Sequence, residues 1–401
     1  MHPNFVTPRY DSGGFAGLPG SIQAFFGGQP PFPAFQGDYD NLILCFVDGF
    51  GWRHFEKFGA HPLLDRFTRD GSAVKLTSQF PSTTSGHTTC IHTGLNVGQS
   101  GVFEWNYYEP LLDTMIVPLL FTYSGTAERD LLKKTGIDPR RLYPTETLYQ
   151  KLKAQGVTST IFQHREYTPS TYSNLMFEGA AAARGFKSLP EAVINLGTAL
   201  HAARGKNYFF LYYDRIDSVS HDYGPGSSQV EAEVEMFLHV LQKQLFERPL
   251  AKGRTLFLLT ADHGQVEVDP ATTIYLNRAF PGIERFIKAN AKGKLLVPGG
   301  SCRDLFLYFK DDLLDEARDL LAAGLAGKAD VVKTEELIRL GYFGPEISAT
   351  FRARVGDLVI LPYRGESVWW YEKGRFEQKY YGHHGGLTPQ EMEIPLLGLE
   401  L

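Results

Sequence analysis

Three carboxylates and three imidazoles stand out in this chain, most of them just past an apolar run. Asp48 closes Leu42-Ile43-Leu44-Cys45-Phe46-Val47, and Asp262 with His263 closes Thr255-Leu256-Phe257-Leu258-Leu259-Thr260. Asp217 and His221 follow Tyr208-Phe209-Phe210-Leu211-Tyr212-Tyr213, and His384 lies in Gly382-His383-His384-Gly385-Gly386. Carboxylate and imidazole together are the donor set for zinc or manganese. Six donors are too many for one site and suit two, the pattern of a two-metal hydrolase. On a helical turn, Asp217 and His221 share one face. Adjacent side chains of an extended strand point apart, so Asp262 and His263 reach one ion only where the backbone turns. Gly264 permits that turn.

A hydroxyl-rich segment adds a reactive group. Phe80-Pro81-Ser82-Thr83-Thr84-Ser85-Gly86-His87 leads into a helical stretch ending near Thr93-Gly94, and Pro81 favours an extended residue before it. A hydroxyl at a helix N-terminus faces free N–H groups and the positive end of the dipole, which suits a phosphate. Metal coordination would make such a hydroxyl a nucleophile at neutral pH. Taken alone, the segment is as readily a Ser/Thr-rich helix cap.

The elements that must position these groups read as an α/β fold. The runs 42–47, 158–162, 208–213 and 255–260 are continuous, as in strands buried on both faces of a parallel sheet. Helical patterns separate them. The clearest spans roughly 228–246, with Val230, Val234, Phe237, Leu238, Leu241 and Leu245 on one face and Ser228 with Glu231 as a capping box. This alternation predicts a doubly wound, mostly parallel central sheet flanked by helices. Such sheets bind ligands beyond the carboxyl ends of their strands. Residues 1–40, rich in Gly, Pro and Phe, read as an extended arm. Between 265 and 380 the texture changes to a strand at 303–309, a helix at about 311–323 and strands near 329–333 and 357–361. The expected division is a catalytic core with its arm (1–264), an inserted α/β cap (265–380) and a return to the core (381–401).

Composition sets the outer limits. The chain has 401 residues, 43% hydrophobic and 21% charged, with a net charge of −5. That is a globular composition without a basic footprint for duplex nucleic acid. A small phosphorylated substrate remains compatible, because bound metals neutralise its charge locally. The three cysteines lack CxxC spacing and read as reduced thiols. The N-terminus lacks a secretory pattern, and no apolar run approaches the roughly 18 residues needed to cross a bilayer. The expectation is a cytoplasmic protein without a membrane contact.

In order and context, Val47-Asp48-Gly49, Phe80-Pro81-Ser82-Thr83-Thr84, Asp217 to His221 with Tyr223-Gly224-Pro225, Thr260-Ala261-Asp262-His263-Gly264 and His384-Gly385-Gly386 resemble the motifs of the alkaline phosphatase superfamily. Within it the chain is most similar to the nucleotide pyrophosphatase/phosphodiesterase branch, over residues 42 to 386. The resemblance implies two zinc ions, manganese being the other candidate. Asp217, His221 and His384 would hold one, and Asp48, Asp262, His263 and Thr84 the other. Thr84 would attack phosphorus to give a phospho-threonine that water then releases. Counting back from Thr93-Gly94 selects Thr84, whereas counting back from His87 selects Thr83; the first count needs no gap and is preferred. His384 is preferred to His383 because the family's ligand directly precedes glycine. The branch also implies an asparagine aimed at a phosphoryl oxygen, which falls on Asn106. Trp105, Tyr107 and Tyr108 around it would stack a nucleobase, line an apolar pocket or pack in the core. His164, Arg165, Asp214 and Arg215 read as simple salt bridges or supports of the site.

The implied activity is that of a phosphodiesterase or nucleotide pyrophosphatase acting on a small phosphorylated molecule such as a nucleotide. Phosphonoacetate hydrolysis and phosphomonoester hydrolysis are the alternatives within the superfamily. A sulfatase lacks its modifiable residue here, and a cofactor-independent phosphoglycerate mutase is only faintly echoed by Ser85-Gly86-His87. A non-catalytic metal-binding protein is the remaining and least favoured reading.

Overall fold

The four continuous apolar runs become the inner strands of one sheet. The computed structural model describes residues 1–29, 35, 38–248 and 253–401. Its seven-stranded sheet has the order Ser72–Thr77, Glu393–Glu400, Thr255–Thr260, Asn41–Val47, Asn207–Tyr213, Thr158–His164, Ala182–Phe186. Asn41–Val47 pairs in parallel with Asn207–Tyr213 on one side and Thr255–Thr260 on the other. Every residue of these three strands is buried. Glu393–Glu400 is antiparallel to both of its neighbours, so the sheet is mostly parallel, as expected.

Register explains why the carboxylates converge. Val47 lies opposite Tyr213, and Phe46 opposite Thr260. The chain therefore leaves all three strands at one edge, carrying Asp48, Asp217 and Asp262. At the opposite end, Asn41 bridges its neighbours. Its Nδ2 donates to Thr255 Oγ1 at 3.1 Å, and its Oδ1 accepts from Asn207 Nδ2 at 3.1 Å. A one-residue slip would break both bonds and turn every side chain to the wrong face.

Helices cover the sheet and share its core. Ser228–Leu241 buries Val230, Val234, Phe237, Leu238 and Leu241 against it, each contributing roughly 1.5–3 kcal/mol relative to exposure. Its last stretch, Gln242–Phe246, continues as a π-helix that buries Leu245. The capping expectation is off by one residue. Ser227 is the N-cap, and its side chain accepts from the Val230 N–H. Glu231 is paired with Lys57 instead of closing a capping box.

The arm expectation also needs correction. Leu18–Phe26 is a helix, entered through Pro19 in its first turn, where a missing N–H costs nothing. Leu18 and Ile22 are buried, and Phe15 sets its ring against Phe46 of the central strand at 5.6 Å. Residues 30–34 and 36–37 of that stretch lie outside the described residues.

Between the Asp262-His263 pair and His384, the chain builds a three-stranded antiparallel sheet in the order Leu305–Leu307, Leu358–Pro362, Ala329–Lys333. Helix Leu314–Gly324 packs on one face through Ala317 and Leu321, meeting Leu305, Leu307 and Ile360. The alternate residues Phe306, Val359 and Leu361 join Phe80 and Phe103 of the hydroxyl segment and the loop after it. This small sheet thus lies directly against the loops of the site.

Candidate active site

Two groups of three ligand-type side chains form at the carboxyl edge. Asp217, His221 and His384 make one, and Asp48, Asp262 and His263 the other. Within each, the candidate ligand atoms lie within 4.8 Å of one another. The groups adjoin: the His263 and His384 rings stack with centroids 3.6 Å apart.

Local backbone chemistry brings them together. Asp217 and His221 sit one turn apart on helix Arg215–Tyr223, with His221 Nε2 3.4 Å from Asp217 Oδ2. Gly49 has φ 72, and a Cβ there would meet Asp217 Cα at 2.9 Å; only glycine combines that conformation with that approach. Gly264 serves differently from expectation. A Cβ on it would strike Gln390 O at 2.2 Å and Gly51 Cα at 3.0 Å. Close approach of three backbone segments, not a left-handed turn, demands glycine there.

The three imidazoles are oriented alike. His221 Nδ1 faces Gly382 O at 2.8 Å, His263 Nδ1 faces Gly264 O at 3.1 Å, and His384 Nδ1 faces Ser82 O at 2.9 Å. Each ring thus gives Nδ1–H to a backbone carbonyl and leaves the Nε2 lone pair toward the cluster, as metal-bound histidines do. His383 instead directs Nδ1 to the backbone around His384.

Asp48 and Asp262 are deeply buried with few donors around them. Asp262 Oδ1 accepts from the Gly49 and His263 amides, and Asp48 Oδ2 accepts from the Tyr212 hydroxyl. Asp48 Oδ1 and Asp262 Oδ2 are buried without any hydrogen-bond partner. Burial, and then the charges of Asp262 and Asp217, push the Asp48 carboxyl well up; burial likewise raises Asp262. At Asp217, burial is outweighed by His221, His384 and His263, which hold the carboxylate far below its ordinary range. The unpartnered buried oxygens beside His263 fit a divalent cation in the Asp48 group, and Asp217 with the Nε2 atoms of His221 and His384 offers the donor set for a second.

Thr84 is the first residue of helix Thr84–Thr93, and its Oγ1 lies 3.2 Å from His263 Nε2. The preceding Thr83 is the N-cap and is buried, without a side-chain cap hydrogen bond. His87, buried, fixes this corner. Its Nδ1 bonds to Thr83 O at 2.7 Å, and its Nε2 accepts the Gln79 N–H at 2.9 Å. Burial drops its pKa to about 3, so the ring is neutral.

The remaining residues singled out in the sequence take several places. Asn106 spends its amide on Gly300 O at 3.4 Å and on the Ser124 hydroxyl at 2.7 Å. The cavity beside Thr84 is lined by Trp105 and not by Asn106. Tyr107 is core, stacked on Phe103. Asp214 accepts from the Tyr167 hydroxyl and also lines that cavity.

Sequence reasoning missed the supports. Ser82 Oγ donates to Gly386 O at 2.8 Å and accepts the Gly385 N–H at 3.1 Å, clamping the His384 loop to the Thr84 loop. Glu104 and Asp304 form a fully buried carboxyl pair behind Thr83. Burial lifts Glu104 to about 7, and burial with the Glu104 charge lifts Asp304 well above its usual range. No spacing signal marks these residues, because each acts through a fold contact between distant segments.

Comparison with known proteins agrees with this geometry. The chain is 26% identical over 251 residues to venom phosphodiesterase CdcPDE of Crotalus durissus collilineatus, covering 61% of this chain. The match spans only 29% of that relative. An inactive form of murine ectonucleotide pyrophosphatase/phosphodiesterase 5 in complex with AMP aligns with TM-score 0.66 and 18% identity, over 90% of this chain and 87% of that one. Phosphonoacetate hydrolase from Sinorhizobium meliloti, in complex with phosphonoacetate, gives 0.60 and 19%, covering 89% of both chains. These two likenesses show the fold, an alkaline phosphatase-like arrangement. Residues 42–387 match the family described as type I phosphodiesterase / nucleotide pyrophosphatase, and the chain belongs to that family.

Proposed function

We propose that this protein is a metal-dependent phosphodiesterase or nucleotide pyrophosphatase, with Thr84 as its nucleophile. The observation that carries this reading is the place of Thr84. Its hydroxyl meets His263 inside the Asp48/Asp262/His263 group and stands at the open end of a helix. The first-turn amides of that helix have no intrahelical acceptor and favour phosphoryl oxygens.

Asp48, Asp262 and His263 would hold one cation, with Thr84 beside it, and Asp217, His221 and His384 a second. The mixed nitrogen and oxygen donors favour zinc, with manganese next. Two divalent cations supply Lewis acidity toward phosphoryl oxygens and lower the pKa of the Thr84 hydroxyl. Thr84 Oγ1 then attacks phosphorus in line, the bond to the departing oxygen breaks, and a phospho-threonine remains. Water attacks the same phosphorus from the opposite side, and the bond to Thr84 breaks. Ser82 and His87 keep this corner in place for both displacements. The likeness of the fold to a protein that binds AMP supports a nucleotide as the small phosphorylated substrate.

Thr84→Ala tests the nucleophile. Turnover of a nitrophenyl phosphodiester should fall by at least about 10³-fold, because the covalent route is removed. Metal content by elemental analysis should stay at the wild-type level, and Thr83→Ala should retain most activity. Full activity in Thr84→Ala would sink the assignment.

A further inference from the structure

Beside Thr84 the fold leaves a cavity of about 190 Å³. Trp105, Tyr167, Tyr172 and Phe210 give it aromatic walls, and Trp105 remains 41% exposed. Two polar side chains in these walls are unspent. Arg129, half-buried, makes no ion pair or hydrogen bond among the described residues, and its guanidinium lies 5.3 Å from the Tyr167 ring centre. Gln163 Oε1 is buried without a hydrogen-bond partner. Of the acids in the same lining, Asp214 is already engaged by the Tyr167 hydroxyl, and Asp48 and Asp217 belong to the two ligand groups. A guanidinium set in an aromatic wall, with no carboxylate to meet it, is a receptor for an anion that arrives with the ligand.

We propose that Arg129 is a specificity-determining residue that reads a second negative charge on the substrate. The organic group entering the cavity would carry a flat ring for the aromatic walls and an anionic group, phosphate or carboxylate, for the guanidinium. Gln163 would accept a hydrogen bond from an N–H or O–H of the same group. The site then prefers doubly anionic substrates over diesters whose only charge is at the reacting phosphorus. This inference rests on the phosphoesterase reading above.

The test uses matched substrates. One pair is the nitrophenyl ester of thymidine 5′-phosphate with and without a 3′-phosphate. The other is a nitrophenyl phenyl phosphate with and without a ring carboxylate. Which pair shows the larger preference in the wild-type enzyme distinguishes phosphate from carboxylate. In Arg129→Gln, the ratio of kcat/KM within the preferred pair should fall by about tenfold, through KM, as expected for loss of a charge-assisted contact. Arg129→Lys should recover part of it. A ratio that changes by less than about threefold in both pairs, a modest fraction of such a contact, overturns the proposal, whether overall rates fall or not. If the wild-type enzyme turns over none of the esters, the phosphoesterase reading fails instead. Calorimetric binding of thymidine 3′,5′-bisphosphate against thymidine 5′-phosphate, in wild type and Arg129→Gln, then decides the anion contact by the same ratio.

Discussion

Two buried charged groups border the His384 loop, and they are built in opposite ways. Arg303 and Glu391 form a closed pair. Nε and Nη2 reach the two carboxylate oxygens at 3.0 Å each, and the remaining donors meet Pro362 O, Tyr363 O and Glu366 O. Glu391 also accepts from the Gly386 and Thr388 amides. Asp48 and Asp262 form an open pair, each with one buried oxygen that has no hydrogen-bond donor among the described residues and only the His263 Nε2 nearby, at 3.4 and 3.3 Å. Both groups are buried, so both bear a desolvation cost of several kcal/mol per ion. The closed pair offsets its cost internally and ties the small sheet to the return of the chain. The open pair has only His263 and a few neutral donors to offset its cost, and suits an added positive charge. Burial alone therefore does not separate the two pairs; carboxylate oxygens without a hydrogen bond, set beside an imidazole Nε2, do.

The largest expected effect comes from breaking the open pair. Asp262→Asn should cut turnover by about 10³-fold, the equivalent of the several kcal/mol that a bound metal contributes. In the metal-free protein the same change should leave unfolding stability unchanged or raise it, because it relieves repulsion with Asp48. Denaturant unfolding with and without chelator checks both halves. Chelation should destabilise the wild type by RT ln(1+[L]/Kd), about 4 kcal/mol at a thousandfold excess over Kd, and the variant by less. A variant that loses stability in chelator as well would make the cluster a structural one.

Breaking the closed pair should give the converse. Glu391→Ala strands the Arg303 guanidinium in a dry interior and should cost about 3–5 kcal/mol, read as a lowered denaturant midpoint at constant slope. The double variant Arg303→Met/Glu391→Leu should recover most of that loss, since a packed apolar pair can replace a buried ion pair. No such double replacement at Asp48 and Asp262 would restore turnover. Failure of the double variant to recover stability would mean that the amides of Gly386 and Thr388, rather than the charge on Arg303, set the cost.

The same contrast separates what the sequence disclosed from what it hid. The inner strands were legible because burial on both faces demands continuous apolar runs; the run 208–213 lies within Asn207–Tyr213. Ser72–Thr77 was not, because its partly exposed residues carry no such signal. Glu393–Glu400 was hidden by Pro395 and Gly398, which weaken strand propensity yet are tolerated here. The helix Leu18–Phe26 was masked by Pro19 and Gly20. Asp48, Asp217, His221, Asp262 and His263 were readable as candidates from donor type and their place after apolar runs, whereas His384 was separated from His383 only by the family resemblance. Ser82, Glu104, Asp304 and Arg129 were not, since their roles depend on which distant segment folds against them.

The smallest effect should come from Ser82, which belongs to neither group yet holds one of them. Ser82→Ala leaves Gly386 O and the Gly385 N–H without their buried partner, at about 1–3 kcal/mol of stability. The His384 bond to Ser82 O is a backbone contact and survives the change. The loop should therefore loosen without losing its ligand, weakening the Asp217/His221/His384 group by about 10–100-fold in metal affinity, as loss of a ligand's support does. The Asp48/Asp262/His263 group, carried by inner strands in register, should keep its affinity. Chelator competition followed by elemental analysis would then show one ion leaving at lower chelator concentration than the other. Two ions lost together would show that the Ser82 clamp serves the whole edge of the sheet and not the His384 loop alone.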